Sequence, residues 1–184
     1  YANVPVAELA KDPQAVKIGQ RLFGNNCALC HGSDARGNVG YPNLTDADWL
    51  HGGSAEKIVE TITLGRNGMM PALGAALGGE QGIKDVAAYV LSLSGRQGAG
   101  DATAGKAKFD MMCAACHGPD GKGMQMMGSA NPTDNVWLYG GTENAVIETI
   151  TNGRSGVMPA WEGRLDPATI KAMAVYVHSL GGGQ

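Results

Sequence analysis

Asn43 to Ala72 reads NLTDADWLHGGSAEKIVETITLGRNGMMPA, and Asn131 to Ala160 reads NPTDNVWLYGGTENAVIETITNGRSGVMPA. The two stretches lie at a constant offset of 88 and agree at 17 of 30 positions, which marks an internal duplication. Upstream, Cys27-x-x-Cys30-His31 matches Cys113-x-x-Cys116-His117 at an offset of 86. Downstream, Tyr89-Val90-x-Ser92-Leu93 matches Tyr176-Val177-x-Ser179-Leu180. The order of features is the same in both halves. It predicts an N-terminal strap over 1–11, a domain over 12–94 and a second domain over 101–184. The glycine-rich stretch 95–100 reads as a short flexible linker between them.

Within each repeat the reading is helical. Asp12-Pro13 pairs an N-cap residue with proline at the first helical position, and the helix then runs into the CxxCH motif; Asp101 has the capping role in the second repeat. Ser54 and Thr142 open the next helices, with Ile58/Ile62 and Val146/Ile150 at i, i+4 spacing. Asp166-Pro167 starts the last helix, expected to end at Gly181. No run shows the period-2 alternation of strands, so the expected fold class is all-α, two tandem domains. Gly19-x-x-x-Phe23 and Gly105-x-x-x-Phe109 precede the two motifs at equal distance. A helical glycine costs about 1 kcal/mol relative to alanine, so its recurrence predicts a close helix contact. The expected partner is the last helix, through Val86/Tyr89 and Met173/Tyr176.

Composition narrows the class. Of 184 residues 43% are hydrophobic, 17% charged and only 5% aromatic, while 29 are glycine. A chain so poor in large side chains fills a core poorly by itself, which hints at a large bound cofactor. The net charge of −3 is spread along the chain, and no basic patch calls for nucleic acid. The longest apolar run, Val86 to Leu93, is far below the roughly 18–20 residues of a membrane helix. The chain begins at Tyr1 with no signal peptide, so the expectation is a soluble processed product or an excised fragment.

CxxCH is the attachment signature of c-type haem. Two cysteines one helical turn apart can both add to the vinyl groups on one porphyrin edge, and the adjacent histidine reaches the iron from the same side. The competing readings are a zinc site or a redox disulfide. Zinc clusters want a second cysteine pair roughly 15–20 residues away, whereas Cys30 and Cys113 are 83 apart. Cys27, Cys30, Cys113 and Cys116 therefore read as thioether positions for two haem c groups, with His31 and His117 as axial ligands. Met70-Pro71 and Met158-Pro159 recur and supply the second axial donors, thioethers suited to low-spin electron-transfer iron. Proline stiffens the loop that presents the sulfur. Met69 aligns with Val157 and reads as an apolar neighbour. Met124, Met126 and Met127 have no methionine counterpart and read as adaptable cover for an exposed haem edge. With both axial positions filled, the chain carries electrons and transforms no substrate by itself.

Trp49 and Trp137 recur, as do Arg66 and Arg154. An indole N–H and a guanidinium suit the haem propionates, whose charge needs compensation when partly buried. The competing reading is core packing for the tryptophans and a solvated loop position for the arginines.

Taken together, the helical GxxxF, CxxCH, Met-Pro loop and final helix with tyrosine resemble the class I cytochrome c fold in each half. NLTDxxWLxGG followed by ETIxxGRxGMMPA is similar to the periplasmic part of the di-haem subunit of cbb3-type cytochrome c oxidase. The likeness spans about Asp12 to Leu180. By this resemblance, Cys27, Cys30, His31 and Met70 serve one haem, and Cys113, Cys116, His117 and Met158 the other. It implies a periplasmic relay from a donor cytochrome c to other oxidase subunits, toward the oxygen-reducing centre, with membrane attachment only through an N-terminal anchor that this sequence lacks. A free c4-type di-haem shuttle is the alternative, and a di-haem peroxidase a more distant one.

Overall fold

The computed structural model describes residues 1–183; Gln184, the last residue of the expected second domain, lies outside them. Helices dominate: α1 (Val6–Leu9), α2 (Pro13–Asn26), α3 (Ala28–His31), α4 (Ala55–Leu64), α5 (Glu80–Leu93), α6 (Ala102–Met112), α7 (Ala114–His117), α8 (Glu143–Asn152) and α9 (Pro167–Ser179). Their starts follow the expected caps. Asp12 Oδ1 accepts from the Gln14 N–H at 2.8 Å, Asp101 Oδ1 from Thr103 at 2.8 Å and Asp166 Oδ1 from Ala168 at 3.0 Å. Ser54 and Thr142 cap α4 and α8 through their hydroxyls.

The all-α expectation needs one correction. Arg66–Met70 and Arg154–Met158 are strands β1 and β2, paired in a two-stranded sheet, and each alternates half-buried with exposed positions. Five residues that include a glycine, with methionine or valine on the exposed face, give too weak an alternation to recognise in sequence.

The compact units do not coincide with the repeats. One comprises Tyr1–Asn67 together with the segment from Val157 onward; the other is the continuous stretch Gly68–Gly156. This division by packing differs from the sequential domains 12–94 and 101–184 read from the repeat. In the first unit α2 packs on α9, with α4 and α1 against the same helix. The strap is part of it: Val6 and Leu9 are buried in the core, and Lys171 Nζ donates to the Tyr1 and Ala2 carbonyls. In the second unit α6 packs on α5, with α8 beside them.

The glycines show how tightly these pairs are built. A Cβ on Gly19 would run into the Ala172 carbonyl and lie 2.8 Å from Tyr176 Cβ. At Gly105 it would run into the Asp85 carbonyl and lie 3.0 Å from Tyr89 Cβ. The close helix contact is as expected, but each GxxxF helix meets the tyrosine helix of the other repeat. Phe23 meets Tyr176 in a tilted pair with centroids 5.1 Å apart, and Phe109 meets Tyr89 edge to face at 5.2 Å. Both phenylalanines are 1% exposed.

The stretch 95–100 is correspondingly not a link between units. It is the α5–α6 turn, in the interior of the second unit. Arg96 donates to the Gly141 carbonyl at 2.7 Å, the Ala99 N–H to Glu143 at 2.7 Å and the Asp101 N–H to Asp85 at 3.0 Å. Helices joined by so short a connection pack on each other. The chain thus builds the first unit in the order α2, CxxCH, α4, Met158-Pro159, α9, with the whole second unit inserted before Met158. The second unit runs Met70, α5, α6, CxxCH, α8, a circular permutation of that order.

Candidate haem-binding sites

In each unit the long first helix ends at the first cysteine, which caps it. The Cys27 N–H donates to Phe23 O and the Cys113 N–H to Phe109 O, both at 2.8 Å. A single turn, α3 or α7, then carries the second cysteine and the histidine, with Gly32 (φ 79°) or Gly118 (φ 80°) ending it in a left-handed conformation. The histidines are fixed alike. His31 Nδ1 donates to the Pro42 carbonyl at 3.0 Å, and His117 Nδ1 to the Ala130 carbonyl at 2.8 Å. A carbonyl partner puts the proton on Nδ1 and leaves the Nε2 lone pair for a metal. Burial holds His31 below the ordinary imidazole range, opposed in part by the Pro42 bond, so its neutral ligand form is favoured.

No two of the four cysteines are joined in a disulfide. Burial, with a smaller contribution from Cys30, pushes the Cys27 thiol up to about 11, and Cys113 rises for the same two reasons, with Cys116 as its neighbour. No group of three or more His, Cys, Asp or Glu side chains among the described residues is arranged to hold a metal ion. The donor set therefore fits covalent haem better than a zinc site.

The Met-Pro loops cross over with the helices. The Trp161 N–H, three residues after Met158, donates to Ile62 O of α4 at 3.1 Å, and the Leu73 N–H, three after Met70, to Ile150 O of α8 at 3.0 Å. Met158 packs against the apolar cluster that Cys27 also touches, whereas Met70 packs against the cluster that contains Cys113. Met158 thus lies in the compact unit of His31 and Met70 in that of His117, the reverse of their grouping by sequence order. Strand alternation turns Met70 inward and leaves Met69 84% exposed. Met173, fully buried on α9, touches the Cys27 sulfur at 3.8 Å and has Val86 as its repeat partner.

The second unit's loop is two residues longer between histidine and Asn131, which is where Met124, Met126 and Met127 fall. The Ser129 hydroxyl fastens it to the Cys116 carbonyl, as Asn38 does to Cys30 at 2.9 Å in the first unit. Met126 is 89% exposed.

The paired tryptophans and arginines differ between units. Trp49 donates its indole N–H to Asp46 O at 2.9 Å, whereas the Trp137 indole N–H is buried with no partner among the described residues. Arg66 is committed to Glu60 at 2.8 Å and Thr61 at 2.9 Å. Arg154 reaches Thr149 at 3.0 Å and lies 4.5 Å over the Tyr139 ring. Sequence reading missed Arg96, which sits 5.4 Å over Trp137. It lies in the stretch read as linker, outside the recurring motifs, so no pattern singled it out.

A family model described as cytochrome c oxidase, cbb3-type, subunit III matches residues 14–90 and again 100–177. The cbb3-type cytochrome c oxidase subunit CcoP of Rubrivivax gelatinosus is 56% identical over 181 residues, covering 98% of this chain and 59% of that protein. The subunit FixP of a Bradyrhizobium species is 53% identical, covering all of this chain and 68% of that protein. The CcoP subunit of Cereibacter sphaeroides is 46% identical, over 99% and 68% respectively. The chain thus spans about three-fifths of the Rubrivivax relative's length. No helix among the described residues is long and apolar enough to cross a membrane. With both repeats matched and identity running through the whole chain, this protein belongs to the family of cbb3-type cytochrome c oxidase subunit III.

Proposed function

We propose that the chain is the electron-relay part of an oxidase subunit and carries two covalent haem c groups, one in each compact unit. Cys27 and Cys30 form the thioethers in the first unit, with His31 and Met158 as axial ligands. Cys113 and Cys116 form those in the second, with His117 and Met70. The observation that carries this reading is the matched donor set of each unit: a CxxCH whose histidine keeps Nε2 free, and an inward Met-Pro loop from the opposite repeat.

When bound, haem c supplies a reversible one-electron iron couple. The protein's part is to hold that couple still. The carbonyl bonds to His31 and His117 fix ring orientation and raise the basicity of Nε2. Pro71 and Pro159 stiffen the turns behind the methionines, and a thioether donor would favour the reduced state of the iron. With a histidine and a methionine both committed to each iron, no position would remain for substrate, so the chain would act as a carrier and not itself as the oxygen-reducing enzyme. The reading extends to a periplasmic location, to a donor cytochrome c that delivers electrons and to the other oxidase subunits that receive them. Membership of an oxidase-subunit family favours it over the c4-type shuttle and the peroxidase.

Denaturing electrophoresis with haem staining and intact mass test the attachment; the expected mass exceeds the polypeptide by two haems, and a colourless band from matured protein refutes it. Met158→His tests the crossed ligation. In a Cys113→Ser/Cys116→Ser background, which leaves one haem on Cys27 and Cys30, its potential is expected to fall by on the order of a tenth of a volt. An unchanged potential there, with the methionine–iron charge-transfer band intact, assigns the ligand to another residue.

A further inference from the structure

Four solvent-facing positions of the first unit form one row. α3 carries on from α2 through Cys27, whose own backbone lies in the right-handed helical region (φ −116°, ψ −30°). The N–H groups of Cys27 and His31 each reach the carbonyl four residues back, at 2.8 and 3.0 Å. Lys17, Arg21, Asn25 and Leu29 therefore recur at i, i+4 spacing along one stripe, and all four are exposed. Lys17 and Arg21 form no ion pair among the described residues. Leu29 is 94% exposed and stands between the two cysteines of its motif. The loop after the histidine is tied to the Cys30 carbonyl by Asn38 at 2.9 Å and presents Val39 and Tyr41 to solvent. Arg36 on that loop lies 3.9 Å from Asp34, so the loop adds no net charge.

The second unit carries the same row without charge. Its positions are Thr103, Ala107, Met111 and Ala115, all exposed. The cations nearby in sequence are answered internally, Lys106 by Asp110 at 2.6 Å and Lys122 by Asp120 at 3.6 Å. The fold thus requires neither the two free cations nor the exposed leucine, since the second unit builds the same helix and turn without them. An apolar tip with cations beside it has the make-up of a small contact surface. The row is about 18 Å long at 1.5 Å per residue, a size that suits weak redox encounters burying less than about 1,200 Å².

We infer that the row Lys17, Arg21, Asn25 and Leu29 of the first unit is a docking surface for a small one-electron carrier whose apolar redox edge is bordered by carboxylates. The inference rests on the haem assignment proposed above and goes beyond it by giving one unit, and one face of it, to the mobile partner. Contact at Leu29 puts such a carrier beside the cysteines that hold the haem; the carrier gives up one electron and the iron takes it, with no bond made or broken. The chain's net charge is −3, so an acidic partner is repelled at long range. Attraction exists only where the two cations come within about a Debye length, 8–10 Å, of its carboxylates. The row therefore selects the docking orientation. An anionic membrane is a poorer match, because such surfaces are read by clusters of roughly four to eight basic residues.

The test is binding between the oxidised two-haem protein and an oxidised acidic mono-haem cytochrome c as probe, followed by calorimetry and by chemical-shift perturbation of the probe at low ionic strength. Lys17→Gln/Arg21→Gln is expected to weaken binding roughly tenfold and to remove most of its salt dependence. Leu29→Ala should weaken binding while keeping the salt dependence. Thr103→Glu/Ala107→Glu lowers the net charge by the same two units and should leave binding within about twofold of the parent. The rate of reduction by the reduced probe should follow the same order. Equal weakening by the two double variants would trace the effect to net charge and overturn the proposal. Sedimentation with phosphatidylserine vesicles, or self-association, that Lys17→Gln/Arg21→Gln abolishes would give the row to a membrane or to a second copy and overturn it too. Unchanged binding in Lys17→Gln/Arg21→Gln, or none in the parent, with two haems attached overturns the docking surface alone. Absence of covalent haem from the matured protein overturns the haem assignment and the docking surface with it.

Discussion

A double-mutant cycle on the aromatic pairs tests the crossed topology directly. Phe23 and Tyr176 meet with ring centroids 5.1 Å apart and planes tilted by 58°, and both are buried. Such a pair contributes roughly 0.5–1.5 kcal/mol beyond the area it buries. Phe23→Leu and Tyr176→Leu keep most of the apolar volume, so each single change is expected to cost on the order of 1–2 kcal/mol. The double variant should then cost less than the sum of the singles, with a coupling of about 1 kcal/mol. Phe109 and Tyr89, 5.2 Å apart, should couple to the same extent. The pairs Phe23/Tyr89 and Phe109/Tyr176, which the sequence order of the repeats would join, belong to different compact units and should be additive within about 0.3–0.5 kcal/mol. Denaturant unfolding of the haem-loaded protein, followed by Soret absorption and by far-ultraviolet circular dichroism, supplies the free energies. Coupling in the same-repeat pairs with additivity in the crossed pairs would refute the interleaved fold.

Three further outcomes are expected. Gly105→Ala places a methyl against the Asp85 carbonyl in a helix-to-helix contact with no room to give, and should destabilise the second unit by about 1–3 kcal/mol despite alanine's better helix propensity, read as a lower denaturation midpoint. Asp85 is buried and 6% exposed; hydrogen bonds from Gln81 and then from the Asp101 N–H hold its carboxyl below the ordinary value. Its contribution is complete above the unfolded-state value and is lost as pH falls through the folded one, so Asp85→Asn should flatten the acid limb of the stability profile while lowering stability at neutral pH. Thr142→Ala removes the hydroxyl that accepts from Ala145 at 3.3 Å and should cost about 1 kcal/mol in unfolding experiments.

The helix starts and the close glycine contacts were legible in the sequence, because each is a local device. Asp12, Asp101 and Asp166 cap the helices they precede, and CxxCH is a single turn whose function follows from its spacing. Repetition also identified Met70 over Met69, since Met158 is retained where Val157 replaces Met69. Two five-residue strands escaped notice because so short an alternation carries little signal. What the sequence could not contain is which copy pairs with which. Gly19 and Phe23 fit Tyr176 and Tyr89 equally well, because duplication gave both repeats the same interface, and Met70 and Met158 are equivalent thioethers for the same reason. The choice is made by chain connectivity. Between Leu93 and Ala102 the α5–α6 turn is short and fastened by Arg96, Glu143 and Asp85, so α6 folds back on α5, leaving α2 to α9. That turn also brings Arg96 over Trp137, and the use of Asp46 and Glu60 on one side but not the other depends on side-chain geometry. Sequence determined the helices, turns and candidate donors of each repeat; which helix and which Met-Pro loop join which CxxCH turn is decided by packing, which distinguishes copies that sequence makes alike.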